Sequence, residues 1–177
     1  MTYSVPVPSR LRKADVWHLA ERTAARLNFE IADPLEPIVS LLGGKILFKD
    51  TIGSSEKPES IIVRSKKDFT IYLGRVTSWE RDRFTIAHEL GHLFLHYPMA
   101  QKQSPGLPMK ATRWVDEDDD DQMRAEWEAN WFSAAFLMPE SLFRKAFNAA
   151  KLPQVAIEFG VSVPAVKNRA KSLSLMD

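Results

Sequence analysis

The sequence predicts an α+β fold, in which a small, mostly antiparallel sheet packs with helices around a metal site and a helix-turn-helix-like hairpin follows. Two observations predict this fold. The first is a block of three short runs, rich in β-branched and aromatic residues and bounded by turn residues, at 45–49, 60–64 and 68–73. The second is a mostly apolar helical stretch, Phe84 to Tyr97, which holds three of the four histidines.

Length and composition allow one good-sized core and at most a small appendage. The chain has 177 residues, 45% of them hydrophobic and 27% charged. With 24 basic and 23 acidic side chains, there is no global attraction to nucleic acid. The chain has no cysteine, which excludes disulfides and cysteine-based zinc ribbons and fits a reducing compartment. It has neither a signal-peptide pattern nor a membrane-length apolar run, so we expect a soluble, cytoplasmic protein without a membrane partner.

The N-terminal part predicts helices before the sheet. Residues 1–13 resemble an extended arm, 14–27 form an amphipathic pattern, and 33–42 predict a second short helix that ends at two glycines. A loop at 53–58 and a hairpin turn at 65–68 separate the strands. An edge strand beside the histidine helix could accept a substrate strand, or the sheet could be purely structural.

The histidine helix carries an H-E-x-x-H pattern. His88 and His92 are four residues apart, so on a helix they lie about 40° apart in azimuth and can aim at one point. Two imidazoles suit zinc, and Glu89 beside them can take a proton from a water bound to the metal. Gly91 inside a helix predicts a close neighbour at that turn. A capping box at 77–80 opens this helix, and Pro98 is expected to end it.

A third ligand must come from elsewhere in the chain. His96 does not have the spacing of the longer histidine motifs. Glu126, on the next helical stretch, is the preferred ligand, and Glu128 is the fallback. Asn130 lies four residues after Glu126, on the same face, and can accept a hydrogen bond from a ligand imidazole.

Two stretches of the chain resemble the signature of a known family. The stretch FTIAHELGHLFLH, followed by EWEANWFSAAFLMP, is similar to the paired signature of the ImmA/IrrE zinc metallopeptidases. The resemblance implies that His88, His92 and Glu126 are the zinc ligands and that Glu89 is the catalytic glutamate. More loosely, it extends over residues 33–139.

The function that this resemblance implies is regulatory. Members of the family cut helix-turn-helix transcriptional repressors, so we expect a zinc endopeptidase that cleaves a cognate repressor. The alternative is a non-catalytic, metal-containing regulatory or DNA-binding protein that acts through its C-terminal hairpin. The sequence does not identify the oxyanion donor, and Tyr97 and His96 are weak candidates for substrate or oxyanion contacts.

The segment between the two site helices, 98–121, contains prolines and ends in six consecutive acidic residues at 116–121. It could be a lid, a selector for a basic substrate, or an acidic linker. Asp120 and Asp121 favour the start of the next helix, which is predicted at 122–137.

The C-terminal residues have the spacing of a helix-turn-helix. Ser162 is predicted to cap its second helix, with Pro164 in the first turn. Its outward residues are expected to include Lys167, Asn168, Arg169 and Lys171. They could contact DNA or dock the repressor, or the pair could be an ordinary packed helical unit.

The predicted organisation is therefore an arm at 1–13, a metallopeptidase domain at 14–150, with a further helix at 140–150, and a hairpin at 151–177.

Overall fold

The structure, a computed structural model, describes residues 2–49, 58–114 and 116–177. The predicted loop at 53–58 therefore lies, except for Pro58, outside the described residues. The elements in chain order are α1 (Lys13–Arg26), α2 (Glu36–Leu41), β1 (Gly44–Lys49), β2 (Glu59–Ser65), β3 (Asp68–Gly74), α3 (Trp79–Gly91), a π-helical segment (His92–His96), α4 (Tyr97–Gln103), β4 (Met109–Thr112), α5 (Asp120–Leu137), α6 (Glu140–Ala149), α7 (Leu152–Phe159) and α8 (Val163–Ser172). No helix in these ranges is long and apolar enough to cross a membrane.

The four strands form one mixed sheet in the order β1-β3-β2-β4. The α+β class is confirmed, and β2 pairs antiparallel with both β3 and β4, but β1 runs parallel to β3. The tight turn at 65–68 makes β2 and β3 a hairpin, so β1 can add only to the outer edge of one of them. Short apolar runs predict strands but carry no information on which edge a further strand takes.

The fourth strand lies in the segment that the sequence predicted to be irregular. Met109 and Ala111 are buried, whereas Lys110 and Thr112 are only partly covered, as expected for alternating strand faces. Four residues directly after Pro108 give too short a pattern to identify as a strand. On its outer edge, β4 pairs with the N-terminal arm through a single bridge between Ser4 and Met109.

The histidine helix does not end at Pro98, contrary to the prediction. Ser78 caps α3 by accepting a hydrogen bond from the Arg81 N–H, and α3 continues through the π-helical segment directly into α4. Pro98 lies in the first turn of α4, where the missing N–H of proline costs little. The π-helical turn thus carries the chain past a residue that would break an α-helix.

Helix α3 packs closely against α5, which in turn packs against α1. An ideal Cβ built on Gly91 would lie 3.1 Å from the Ala129 Cα and 3.3 Å from its carbonyl oxygen. Glycine therefore lets the two backbones approach each other at this turn, as the sequence predicted.

The last three helices cover one end of the core. Phe143 of α6 and Phe159 of α7 are fully buried, with ring centroids 5.7 Å apart. The Ser162 Oγ accepts a hydrogen bond from the Ala165 N–H, and Pro164 lies in the first turn of α8, as predicted. Arg169 was expected to point outward, but it is 1% exposed, because its Nε donates to the Met138 carbonyl in the interior.

Candidate metal centre

Two helices bring three side chains to one point. His88 from α3 and His92 from the start of the π-helical segment present their Nε2 atoms 3.2 Å apart. Glu126 from α5 places one carboxylate oxygen 3.1 Å from the His88 Nε2 and the other 3.2 Å from the His92 Nε2. Within the described ranges, these three residues form the group that could hold a metal ion.

These distances fit a tetrahedral metal. Zinc binds imidazole nitrogen and carboxylate oxygen at about 2.0–2.1 Å, so neighbouring ligand atoms of a tetrahedron lie about 3.3 Å apart. The separations of 3.1–3.2 Å match that edge length. A tetrahedral ion held by these three residues would keep one coordination position for water or substrate, as catalytic zinc sites do.

Asn130 fixes the orientation of His88. The His88 Nδ1 lies 3.0 Å from the Asn130 Oδ1, so a proton on Nδ1 is donated to the amide and Nε2 keeps its lone pair. Burial favours the neutral form of His88, but its hydrogen bond to Glu126 and the charges of Glu89 and Glu126 together raise the pKa of His88. Burial would also raise the pKa of Glu126, yet its hydrogen bonds to His88 and His92 hold that pKa well below its usual range.

Glu89 lies beside this group, as the motif predicts. It is 3% exposed, and its Oε2 accepts a hydrogen bond from the Ser60 hydroxyl of β2 at 3.1 Å. Burial raises the pKa of Glu89 to about 7. Glu89, His88 and Glu126 line a cleft of about 590 Å³ that also includes Thr112 of β4. The cleft therefore contains a carboxyl group that can exchange protons near neutral pH.

The contacts of His96 and Glu128 were not predicted from the sequence. Both side chains are fully buried. The His96 Nδ1 lies 2.9 Å from the His92 Nδ1, and the His96 Nε2 lies 3.2 Å from a Glu128 oxygen. If the His92 Nε2 is to bind a metal, its Nδ1–H must donate to His96, whose Nε2–H then donates to Glu128. The three groups form a hydrogen-bonded chain behind the metal ligand.

The N-terminal arm completes the surroundings of Glu128. The Ser9 N–H, Ser9 hydroxyl and Arg10 N–H donate to its carboxylate at 2.8, 2.6 and 2.8 Å. The Arg124 Nε adds a further contact at 2.9 Å. Burial would raise the pKa of Glu128, but the bonds from His96, Ser9 and Arg124 lower it to about 2. A charged carboxylate inside the protein is thus fully compensated.

The two residues that were candidates for substrate or oxyanion contacts do not line the cleft. Tyr97 is 5% exposed and His96 has no exposure, because the π-helical turn directs both into the core. Neither is therefore placed to meet a substrate.

In the acidic loop, Asp119 caps α5 by accepting hydrogen bonds from the Asp121 and Gln122 N–H groups. Asp120 and Asp121 occupy the first turn, where the sequence predicted them to favour the helix start.

Two histidines four residues apart, a glutamate beside them and a second glutamate from a neighbouring helix define a centre of the metallopeptidase class. Comparison with known protein families supports this class. Residues 63–171 match the model Peptidase_M78, described as IrrE N-terminal-like domain, and the chain belongs to this peptidase family, as the motifs predicted. The match extends across the predicted boundary at 150 into α8. A search of curated proteins found no match.

The fold resembles that of a solved structure, a Mycobacterium tuberculosis transcriptional regulator. The two chains are 17% identical with a TM-score of 0.58, over 88% of this chain and 55% of the other. This chain therefore spans little more than half the length of that protein, and the likeness is one of fold alone.

Proposed function

We propose that this chain is a zinc-dependent endopeptidase that hydrolyses a peptide bond in a cognate helix-turn-helix transcriptional repressor. The observation that carries the proposal is the convergence of the His88, His92 and Glu126 donor atoms at 3.1–3.2 Å beside a buried Glu89. Membership of a peptidase family supports the reaction class. The choice of a repressor follows from what the family resemblance implies, and such a substrate would place the protein in the cytoplasm.

The donor set suits zinc. His88, His92 and Glu126 would hold the ion, which when bound supplies Lewis-acid activation of water and of the scissile carbonyl. By accepting from the Nδ1–H groups of the two imidazoles, Asn130 and His96 would leave the Nε2 lone pairs free for the ion.

Glu89 carries the protons of the reaction. Its carboxylate takes one proton from the attacking water, while the remaining hydroxyl adds to the scissile carbonyl carbon. As the C–N bond breaks, Glu89 delivers the proton to the leaving amide nitrogen, so a carboxylic acid and an amine result. Without the ion, burial raises the pKa of Glu89, which makes its carboxylate a stronger base than an exposed one.

The edge of β4 offers a place for the substrate backbone. Pairing of the arm with β4 uses the Pro108 carbonyl and the Lys110 N–H, both bonded to Ser4. The next arm residue in register, Pro6, has no N–H to give to the Lys110 carbonyl. The Lys110 carbonyl and the Thr112 N–H point to the same side, where an extended peptide would add as a further strand beside the cleft.

The alternative is a regulatory protein whose metal is purely structural. A structural zinc usually has four protein ligands, whereas the group among the described residues has three. The burial of Arg169 also removes one cation from the face of α8 that would contact DNA.

The test is incubation of the protein with the repressor encoded beside its gene, with and without a chelator. We expect cleavage that the chelator abolishes and zinc restores. Glu89→Gln should bind zinc as well as the wild type does and lose cleavage by roughly 10²-fold or more, because the proton carrier is gone.

The matched control is Glu117→Gln, which removes an exposed carboxylate from the acidic loop and should cleave normally. Retained cleavage in Glu89→Gln would show that another group moves the protons. A zinc-loaded wild type that leaves the repressor intact would disprove this repressor as substrate.

A further inference from the structure

The metal cleft continues into a second, larger cavity of about 720 Å³ between α1, α3, α5 and α8, which we call the α8 cavity. Arg81, Phe84, Thr85 and Asn130 line both spaces. Asn130 is also the hydrogen-bond partner of His88, so the α8 cavity begins next to a metal ligand.

One face of α3 leads from the metal to this cavity. His88, Thr85 and Arg81 recur at helical spacing, so they follow one another along the same side. Arg81 lies seven residues before His88, or roughly 10 Å along the helix axis. An extended peptide covers that distance in about three residues.

The α8 cavity has an excess of positive charge. Lys13, Arg81 and Arg169 line it, whereas Glu80 is the one acidic residue among the described residues of its wall. Within the part of the chain that the structure describes, no carboxylate forms an ion pair with Lys13 or Arg81. The Lys13 amine instead lies over the Trp17 and Trp131 rings, 5.1 and 5.9 Å from their centroids.

Arg169 adds a buried charge to this wall. Its guanidinium lies 4.6 Å from the centroid of the Trp17 ring, and the Glu21 carboxylate is 3.7 Å away. Its Nη1 and Nη2 atoms have no hydrogen-bond partner among the described residues. Burial, followed by the nearby charge of Arg169, lowers the pKa of Lys13. The two cations therefore repel each other across a site that an anion would stabilise.

We propose that the α8 cavity is a specificity subsite, which takes an acidic side chain of the peptide substrate about three residues from the bond that is cut. This inference rests on the proposed peptidase function. The carboxylate would meet Lys13 and Arg81, while the apolar part of the segment packs against Trp17, Phe84 and Trp131. In this arrangement α8 acts as a wall of the substrate site.

The binding test uses zinc-loaded Glu89→Gln, so that bound peptides are not cut, on an array of random octapeptides. We expect Asp- and Glu-containing peptides to be retained, and a retained peptide to bind about tenfold more tightly than its Gln-substituted form, as for a hydrogen bond to a charged group. Raised salt should weaken this preference. Equal binding of the Glu and Gln forms, or no retained peptides, would overturn the inference.

Charge reversal identifies the residues. With Lys13→Glu and Arg81→Glu together, the selected peptides should change from acidic to basic. Lys66→Glu with Lys145→Glu is the matched control, because it changes the net charge equally at two exposed positions and should keep the acidic preference. Loss of the preference in both pairs would show a general charge effect and overturn the subsite. Lys13→Met with Arg81→Met, which should abolish the preference without reversing it, serves if the first pair misfolds.

Cleavage of a peptide library by the wild type separates this inference from the proposed function. Cut sites with an acidic residue enriched at a single position, about three residues away, support both. Cleavage without that enrichment would overturn the proposed subsite, whereas the proposed peptidase function would stand. Selection of acidic peptides on the array without cleavage of any peptide would overturn the peptidase and leave the subsite.

Discussion

His96 is fully buried behind the His92 imidazole, and among the described residues its side chain hydrogen-bonds to His92 and Glu128. We expect His96→Leu to lower zinc affinity about 10- to 100-fold, because the His92 Nδ1–H is left unpaired in the interior and the ring loses its fixed orientation. Competition with a chromophoric chelator measures the affinity.

His18→Leu is the control for this prediction, because His18 is an exposed histidine of α1. His96→Gln, whose amide can both donate and accept, should restore part of the affinity. If His96→Leu binds zinc as tightly as the wild type, the hydrogen-bonded chain does not position His92.

These residues mark what the sequence could and could not predict at this scale. Glu89 and the three donor side chains follow from helical spacing and from a paired motif. The link from His92 to Glu128 depends on a π-helical turn and on the angle between two helices, and neither has a local signal. The contacts of Ser9 and Arg10 with Glu128 join residues 119 and 118 positions apart, so no pattern along the chain reveals them.

The crossing of α3 and α5 sets the distance between the histidines and Glu126. Alanine normally stabilises a helix by about 1 kcal/mol relative to glycine. At Gly91, however, the added methyl would press on the Ala129 backbone, which cannot rotate away. We therefore expect Gly91→Ala to lower both the melting temperature and the zinc affinity, and Gly91→Ser to lower them further. Thermal unfolding with and without zinc measures both effects, and a higher melting temperature for Gly91→Ala would contradict the close contact.

The cap of α5 predicts a pH dependence. Hydrogen bonds from the Gln122 backbone and side chain lower the pKa of Asp119. Because the folded pKa lies below the unfolded value of about 3.9, the stabilisation is present above that pH and is lost as the pH falls through the folded pKa. Asp119→Asn keeps a capping oxygen but removes the charge. It should lower the melting temperature by about 1–3 °C at neutral pH, and the effect should become smaller at acidic pH, as the folded pKa of Asp119 is approached.

Glu117→Gln, in the same loop but outside the helix, should leave the melting temperature unchanged at both pH values. An equal effect of Asp119→Asn at neutral and acidic pH would mean that the charge does not contribute to the cap.

Element boundaries show where local patterns fail. Pro98 predicted a helix end. The helical chain continues past this residue because the π-helical turn places Pro98 in the first turn of α4. The strand β4 was not predicted because its stability comes from pairing with β2, not from its own four residues. Both errors arise because partners distant in sequence determine the local structure.

At the scale of the whole molecule, the C-terminal helices belong to the same core as the metal centre. Phe159 of α7 and Val166 of α8 are fully buried in this core. The Arg83 Nε of α3 donates to the Gly160 carbonyl at 3.0 Å, and the Arg169 Nε donates to the Met138 carbonyl at 3.0 Å. Arg83 lies on the helix that carries His88, and Met138 directly follows α5, the helix that carries Glu126.

Removal of residues 151–177 should therefore damage the metal centre and not merely delete an appendage. Exposing one large buried apolar side chain to water lowers the free energy of unfolding by about 1.5–3 kcal/mol. We therefore expect the melting temperature to fall by more than about 10 °C, and zinc occupancy to fall as well. Removal of 174–177 alone, after the end of α8, is the control and should retain zinc. A truncated protein with cooperative unfolding and full zinc occupancy would show that the hairpin is a separate unit. In that case, a gel-shift assay on the intact chain would be the direct test of DNA binding.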